Sequence, residues 1–287
     1  MPGDPGLTRR TLLKRAGIGA GLLAGVGLAW DRFFRNGEEP SGNGYLPGFN
    51  DDFLVYSTTP FAGSTMRKVR RCRGVAMRFG VDWAVVQPDG PDRFDWSAFQ
   101  PLHELALRHE LQLLPTIFGC PEWAAPVMNA GRWPGNDPEF PADSFRTCSP
   151  EFDGEFAAFA DATLRHFDSF ARYADHPTVI QAVEVFNEPN TWTFGAVPAT
   201  RLRELATAAG EAVAESQAAG VYSTPMRVVS GGTAPVVALA PDNKLGLPPR
   251  PSWQQYLEEL TAEGPGPFDV GIHSYETSKP PEGDLTT

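Results

Sequence analysis

From residue 53 onward, short apolar runs alternate with stretches of helical character, and this alternation is the strongest constraint on the fold. Six apolar runs predict strands at 53–57, 74–79, 111–118, 178–186, 226–232 and 268–274. Helices are predicted between them at about 64–72, 97–110, 151–173, 198–219 and 251–263. Most of the runs are continuous, as expected for strands that are covered on both faces. The repetition predicts a parallel sheet with right-handed crossovers.

Two α/β architectures fit six such units, a doubly wound sheet and most of a (β/α)₈ barrel. The first predicted βα turn, "STTPFAGS", has no G-x-G-x-x-G pattern, and no such loop occurs elsewhere in the sequence. A nucleotide-binding fold would therefore lack its phosphate cradle. Polar and aromatic residues instead follow the strand ends, namely Trp83, residues 119–123, Asn187 with Glu188, and His273 with Tyr275. Such positions share one face in a TIM barrel. The sequence predicts a TIM (β/α)₈ barrel, incomplete in this chain with about six βα units.

The first 35 residues do not read as part of that fold. Arg9 and Arg10 lie in "TRRTLLK" (8–14), and a Gly/Ala-rich apolar stretch follows at 16–30. This order is typical of a twin-arginine export signal, and a short N-terminal membrane anchor is the alternative. We expect an exported protein, extracellular or associated with the cell envelope. Residues 1–35 are the expected signal or anchor, 36–50 a flexible linker, and 51–287 the partial barrel.

The net charge of the chain limits the classes of molecule that it is expected to bind. The formal net charge is −11, and removing the first 35 residues leaves 18 basic and 33 acidic residues, a balance of −15. An acidic body repels phosphate backbones, so nucleic-acid binding is not expected. No His/Cys/Asp cluster has the spacing of metal ligands, so neither a metal nor another cofactor is expected.

Four segments resemble a known enzyme family. "VEVFNEPN" (183–190) is similar to the fourth-strand signature of clan A glycoside hydrolases, the retaining barrel glycosidases that include cellulases and β-xylosidases. "GVAMRFGVDWAVVQP", "LLPTIFGCPEWA" and "VGIHSY" resemble the second, third and sixth units of that family, in the same order. An Asn-Glu-Pro tripeptide alone is a weak signal. The four segments together are a specific one.

The resemblance implies that Glu188 is the general acid/base and that Asn187 hydrogen-bonds the substrate's 2-hydroxyl. Breaking a glycosidic bond requires a proton on the leaving oxygen, so the donor carboxyl must stay protonated near the working pH and then act as a base. Glu184 shares a strand face with Glu188 and lies one layer deeper. Because buried carboxylates need partners, Arg78 on the second strand is the expected partner of Glu184. Both residues are expected to have supporting rather than catalytic roles. The resemblance also suggests an alternative role for Arg78, which is to keep the catalytic nucleophile ionised.

Aromatic residues and one histidine complete the predicted substrate site. Trp123, Trp83, Trp192 and Tyr275 could stack against sugar faces, with packing in the core as the alternative. His273 could contact the nucleophile or the substrate, as its position in the resembled family suggests, or be a structural hydrogen-bonding residue.

The segment 119–150 is rich in Pro and Gly and has no periodicity, which is typical of a functional loop. We expect it to lie over the cleft and to affect substrate choice. Cys120 and Cys148 flank it, and export would permit a disulfide between them.

A retaining mechanism also requires a nucleophilic carboxylate about 5–5.5 Å from the acid/base. In the resembled family that group stands at the end of the seventh strand, and only six strands are counted before Thr287. We therefore interpret the sequence as a C-terminally truncated, exported retaining glycosidase that acts on a polysaccharide or oligosaccharide, inactive as it stands. The alternative is a non-catalytic carbohydrate-binding barrel. A metal- or phosphate-handling barrel enzyme is disfavoured because the ligands are absent.

Overall fold

The structure, a computed structural model, describes residues 48–50, 59–72, 74–124, 147–171, 180–191, 197–235 and 251–273. Its strands are β1 (Gly48–Asn50), β2 (Ala76–Asp82), β3 (Gln112–Phe118), β4 (Ala182–Val185) and β5 (Arg227–Ser230). Its helices are α1 (Thr59–Arg71), α2 (Trp83–Val86), α3 (Gln100–Arg108), α4 (Asp153–Ala171), α5 (Ala199–Ala218) and α6 (Trp253–Thr261). Two 3₁₀ turns, Glu122–Ala124 and Pro150–Phe152, complete the described elements.

The five strands form one parallel sheet in which spatial order follows chain order, β1-β2-β3-β4-β5. Chain order of this kind is the topology of a barrel, whereas a doubly wound sheet reverses its order at the middle. Beyond β5, Asp269 bridges to Val229 and Ile272 to Thr233. The sixth predicted strand thus lies beside β5 as isolated bridges rather than as a continuous strand. The predicted α/β fold of consecutive βα units is confirmed, and the described residues do not close the barrel.

The first strand differs from the prediction. Residues 53–57 lie outside the described residues, and β1 is instead formed by residues 48–50, which were assigned to the linker. Gly48, Phe49 and Asn50 pair with Ala76, Met77 and Arg78 of β2, and Phe49 packs against the core. A strand of three residues is too short to show a period. It forms because a neighbouring strand supplies the hydrogen bonds.

The two faces of the sheet differ in burial. One face carries apolar side chains that are 0–2% exposed and pack under the helices: Met77, Phe79, Val81, Leu113, Ile117, Val183, Val185 and Val228. The other face carries Arg78, Leu114, Ala182 and Val229 at intermediate exposure, with Thr116 and Glu184 buried. The helix-facing side is therefore a hydrophobic core, whereas the interior of the partial barrel is mixed and partly polar. This alternation departs from the expectation that both faces are equally covered.

Within the described residues, no helix is both long enough and apolar enough to span a membrane.

A histidine pair lies in the core between α3 and α4. The rings of His103 and His166 are 5.9 Å apart, and His166 stacks on Trp96 at 4.4 Å. Burial, with a smaller contribution from the charge of His166, lowers the pKa of His103 to about 3, and burial lowers the pKa of His166 to about 4. Both rings are therefore neutral in the folded protein at neutral pH.

Because these pKa values lie below those of exposed histidines, the unfolded chain binds protons that the folded protein does not between about pH 6.5 and pH 4. We expect the free energy of unfolding to be constant, with respect to this pair, above pH 7. It should fall by roughly 1 kcal/mol per pH unit for each histidine as the pH decreases through that window. Urea unfolding at pH 7 and pH 5 measures this, and His103→Phe should reduce the difference. An equal loss in the parent and in His103→Phe would contradict the prediction.

Candidate active site

Five side chains named from the sequence meet at the carboxyl ends of the strands. Arg78 comes from β2, Glu184 from β4, Asn187 and Glu188 from the turn after β4, and His273 from the segment beside β5. Their contacts run without interruption from one end of the group to the other. The convergence expected of a barrel is thus present in the described residues.

Glu184 is the best-enclosed carboxylate of the group, with a side chain only 5% exposed. Oε2 accepts hydrogen bonds from Arg78 Nε at 2.5 Å and from Thr116 Oγ1 at 2.9 Å. Oε1 accepts from the backbone N–H of Gly232 at 2.9 Å and lies 3.6 Å from His273 Nε2. Burial would raise the pKa of Glu184, but the charge of Arg78 and the hydrogen bonds from His273 and Arg78 outweigh it and hold the pKa well below its usual range. Glu184 is an ionised, fully coordinated anion.

Arg78 connects three elements through its guanidinium group. Besides Nε to Glu184, Nη2 donates to Asn187 Oδ1 at 2.8 Å and Nη1 donates to Asn50 Oδ1 at 3.0 Å. The planar fork of arginine donates in several fixed directions at once, which an ammonium group cannot do. The predicted contact between Arg78 and Glu184 is present, and the same side chain orients the amide of Asn187.

The turn after β4 has an unusual backbone. Phe186 and Glu188 adopt positive φ values of 68° and 42°, a region that residues other than glycine rarely occupy. Such conformations persist where surrounding contacts enforce them. The Phe186 N–H donates to Ile117 O at 2.8 Å, and the Glu188 carbonyl accepts from the Thr191 N–H and Oγ1 at 2.9 and 3.0 Å.

The neighbouring strand end is built to accept this turn. A Cβ atom on Gly231 would lie 2.6 Å from Phe186 O and 2.7 Å from Val185 O, so only glycine allows the two backbones to approach this closely. Asn190 then fastens the turn to the same strand end. Its amide nitrogen donates to Ala234 O at 2.8 Å, and its Oδ1 accepts from the Ala234 N–H at 2.9 Å.

Glu188 lies at the edge of the group and keeps limited access to solvent. Its side chain is 14% exposed, and Oε1 lies 3.2 Å from His273 Nδ1. Burial would lower the pKa of His273, but its contacts with Glu184 and Glu188 outweigh burial and raise the pKa to about 9. The structure therefore places a cationic imidazole between two carboxyl groups at neutral pH, and Glu188 is the more exposed of the two carboxyl groups.

The aromatic candidates have different positions. Trp83 is fully buried, stacks on Phe159 at 5.6 Å, and donates from Nε1 to Gln87 Oε1. A ring with no exposed surface cannot stack on a sugar, so the prediction that Trp83 binds substrate is wrong. Trp83 follows the β2 end directly and begins α2, which turns it into the core. Trp123 is partly buried and donates from Nε1 to Gln87 O at 2.7 Å. Trp192 and Tyr275 lie outside the described residues.

Cys120 and Cys148 are free, buried thiols, so the suggested disulfide is not formed. Each sulfur lies near a local oxygen, Cys120 Sγ 3.6 Å from Pro121 O and Cys148 Sγ 3.7 Å from Asp153 Oδ1. Arg201 also donates to Cys148 O at 3.0 Å and pairs with Asp153. Most of the segment between the cysteines, 125–146, lies outside the described residues.

Several residues that build the site were not predicted from the sequence: Asn50, Thr116, Asn190, Gly231 and Gly232. Asn50 was missed because it lay in the assigned linker. The pair Gly231-Gly232 at the end of a predicted strand was a usable signal, since adjacent glycines there indicate close approach of another chain segment.

No group of three or more His, Cys, Asp or Glu residues that could hold a metal ion occurs within the described ranges.

Comparison with known proteins finds similarity only to solved structures. No protein-family model matches the sequence, and no curated protein matches it. Solved structures that are similar include an exo-β-1,4-mannosidase from Opitutaceae bacterium strain TAV5, with 17% identity, a TM-score of 0.45, and coverage of 65% of this chain and 32% of that chain. A family 39 glycoside hydrolase from Bacteroides cellulosilyticus has 15% identity, a TM-score of 0.44, and the same two coverages of 65% and 32%. A GH30 endoxylanase from Clostridium papyrosolvens has 10% identity, a TM-score of 0.49, and coverage of 80% and 50%.

All three are named as glycosidases. The chain spans between a third and a half of the length of these solved structures. The similarity therefore concerns part of each protein.

The close approach at Gly231 generates a stability prediction. In Gly231→Ala, the new methyl group meets two backbone carbonyls that cannot rotate away, so the turn that carries Glu188 must move. We expect the free energy of unfolding, measured in urea, to fall by about 1–3 kcal/mol. Gly154→Ala is the matched control, since a Cβ there has no atom within 4 Å and the residue lies in α4. It should be neutral or stabilising by roughly 0.5–1 kcal/mol. Equal effects of the two substitutions would contradict this account.

Proposed function

We propose that this chain provides the acid/base half of the active site of an exported retaining glycoside hydrolase, which cleaves O-glycosidic bonds in a polysaccharide or oligosaccharide. The observation that supports this most strongly is the position of the Glu188 carboxyl. It lies at the carboxyl end of β4, 14% exposed, between an amide oriented by Arg78 and the imidazole of His273. A carboxyl that is largely enclosed but keeps some exposure to solvent suits a group that exchanges a proton with a bound ligand.

The proposed chemistry follows from this placement. Glu188 protonates the glycosidic oxygen as the bond to the leaving group breaks, and then deprotonates the water that completes the reaction. Asn187, whose Oδ1 accepts from Arg78, has its amide N–H₂ group available to donate to a hydroxyl of the sugar. An oriented donor of this kind strengthens its hydrogen bond as charge develops on the sugar ring.

The nucleophile is a separate residue from Glu184. A nucleophilic carboxylate must leave its oxygen free to form a bond to the sugar, whereas both Glu184 oxygens accept hydrogen bonds and the group is almost fully buried. Glu184 is therefore assigned a structural and electrostatic role. The second carboxylate of the proposed mechanism lies outside the described residues.

The role of Glu188 is tested by substitution. A panel of aryl β-glycosides with good and poor leaving groups measures turnover. In Glu188→Gln, kcat/KM for poor leaving groups should fall by about 100-fold or more, because the proton donor is lost. Substrates with good leaving groups should be affected less in their first step. Sodium azide should partly restore turnover by Glu188→Ala and yield a glycosyl azide of retained configuration, since the anion attacks the glycosyl-enzyme intermediate in place of water, releases the enzyme nucleophile and needs no base.

The control is Glu258→Gln, which removes an exposed carboxylate on α6 and should leave all rates unchanged. Parent-like rates in Glu188→Gln would remove Glu188 from the mechanism. Binding of oligosaccharides without turnover by the parent protein would favour the non-catalytic carbohydrate-binding barrel.

We also propose that the protein is exported by a twin-arginine-type route and is extracellular or held at the cell envelope. The support is the Arg9-Arg10 pair before a weakly hydrophobic stretch. Substituting both arginines by lysine keeps the charge and removes the recognised pair. The exported fraction, measured by fractionation and immunoblotting, should fall at least about tenfold, since a receptor reads the arginines rather than the charge. The control exchanges Lys14→Arg and Arg15→Lys, and an equal loss in both variants would contradict the proposal.

A further inference from the structure

The ring of His273 lies between two carboxyl groups that differ in burial and in hydrogen bonding. Nε2 lies 3.6 Å from Glu184 Oε1, and Nδ1 lies 3.2 Å from Glu188 Oε1. Glu184 is ionised and accepts hydrogen bonds on both oxygens, while the Glu188 carboxyl is the more exposed of the two. The imidazole is thus the connection between the buried ion pair and the proposed proton donor.

The position of this ring is fixed by the end of β5. A Cβ atom on Gly232 would lie 2.2 Å from His273 Cδ2 and 2.4 Å from Nε2, so the ring occupies the space that a side chain at 232 would fill. The N–H of the same glycine donates to Glu184 Oε1, and the His273 N–H donates to Thr233 O at 3.1 Å. One short backbone segment therefore positions both the ring and the carboxylate behind it.

We propose that Glu184 and His273 form a positioning pair that fixes the Glu188 carboxyl in place and supplies the positive charge beside it. This inference rests on the proposed function of Glu188 as acid/base. Glu184 acts only through His273, which it keeps charged and correctly oriented. His273 acts on Glu188 directly, as a hydrogen-bond donor and as a positive charge.

The charges around the ring differ in sign. Among the described residues, the charged groups near the ring are Arg78 on β2, Glu184 on β4 and Glu188 after β4; Thr116 of β3 and Gly232 after β5 are neutral hydrogen-bond donors to Glu184. The nearby charge of Arg78 disfavours a cationic ring, but contacts with the two carboxylates outweigh it and raise the pKa of His273 to about 9. At neutral pH the ring therefore presents a positive charge to the Glu188 carboxyl, with Nδ1 3.2 Å from Oε1.

The first test reads the ring directly and requires no turnover. In protein labelled with ¹⁵N-histidine, the signal of His273 is assigned by its loss in His273→Gln, and its midpoint of titration is expected near pH 9. In Glu184→Gln, that midpoint should fall by about one pH unit or more, because the ring loses an anionic neighbour. An unchanged midpoint would overturn the proposal.

The second test measures the pH dependence of kcat/KM on the aryl glycoside that responds to Glu188→Gln. In His273→Gln, the basic limb of the profile should move up by about one pH unit. Glu184→Gln should move it in the same direction, and the double variant should match His273→Gln alone, since Glu184 acts through the ring. Lower activity with an unmoved limb would show a merely structural role and overturn the proposal.

A purely steric variant and a matched control complete the design. Gly232→Ala displaces the ring while keeping every charged group, so it should also move the limb even if Glu184→Gln fails to fold. His109→Gln, at the end of α3, should leave the limb unchanged. If Glu188→Gln itself has no effect on turnover, the proposed function fails. If Glu188→Gln behaves as expected and the limb stays in place in both His273→Gln and Gly232→Ala, only this inference fails.

Discussion

The ion pair between Arg78 and Glu184 is the interaction on which the rest of the site depends. Both side chains lie inside the curved sheet, 13% and 5% exposed, and each would be costly to bury alone. Removing one partner of such a pair leaves an uncompensated charge and typically costs about 3–5 kcal/mol. Both Nη atoms of the arginine and both oxygens of the carboxylate also take part in hydrogen bonds to β1, β3, the turn after β4 or Gly232 just after β5. The pair therefore links the strands across the interior as well as matching charge.

The strained turn after β4 also carries Glu188, the residue proposed as acid/base. The turn after β4 holds two residues in a backbone conformation that costs free energy, and its neighbours supply the hydrogen bonds and the side-chain-free space that retain it. Without that conformation, an extended strand would direct Glu188 along the line set by β4. The strained conformation brings the Glu188 carboxyl beside His273, whose own position depends on the end of the neighbouring strand β5.

Features that depend on residues close together in the sequence were predicted better than features that depend on distant ones. The helices at 59–71, 100–108, 153–171, 199–218 and 253–261 were predicted to within a few residues, apart from the earlier start of the first, because the residues that start, form and end a helix lie close together in the sequence. The contact between Arg78 and Glu184 was predicted because a buried charge requires a partner. The sequence did not determine whether Trp83 is buried, since a tryptophan directly after a strand can point either to the substrate-binding end of the barrel or into the core. The three-residue strand at 48–50 has no local signature, because its stability comes entirely from the strand beside it.

The hydrogen bonds and the ion pair around Cys148 affect where the sequence could vary without disturbing the framework. The Ser149 N–H donates to Ala124 O at 3.1 Å, and Arg201 holds Asp153 and the Cys148 carbonyl from the start of α5. The framework thus secures both ends of segment 125–146 independently of what lies between them. The contacts of Ala124, Ser149 and Asp153 involve no residue between 124 and 147, so substitutions within that stretch leave these contacts of the framework in place.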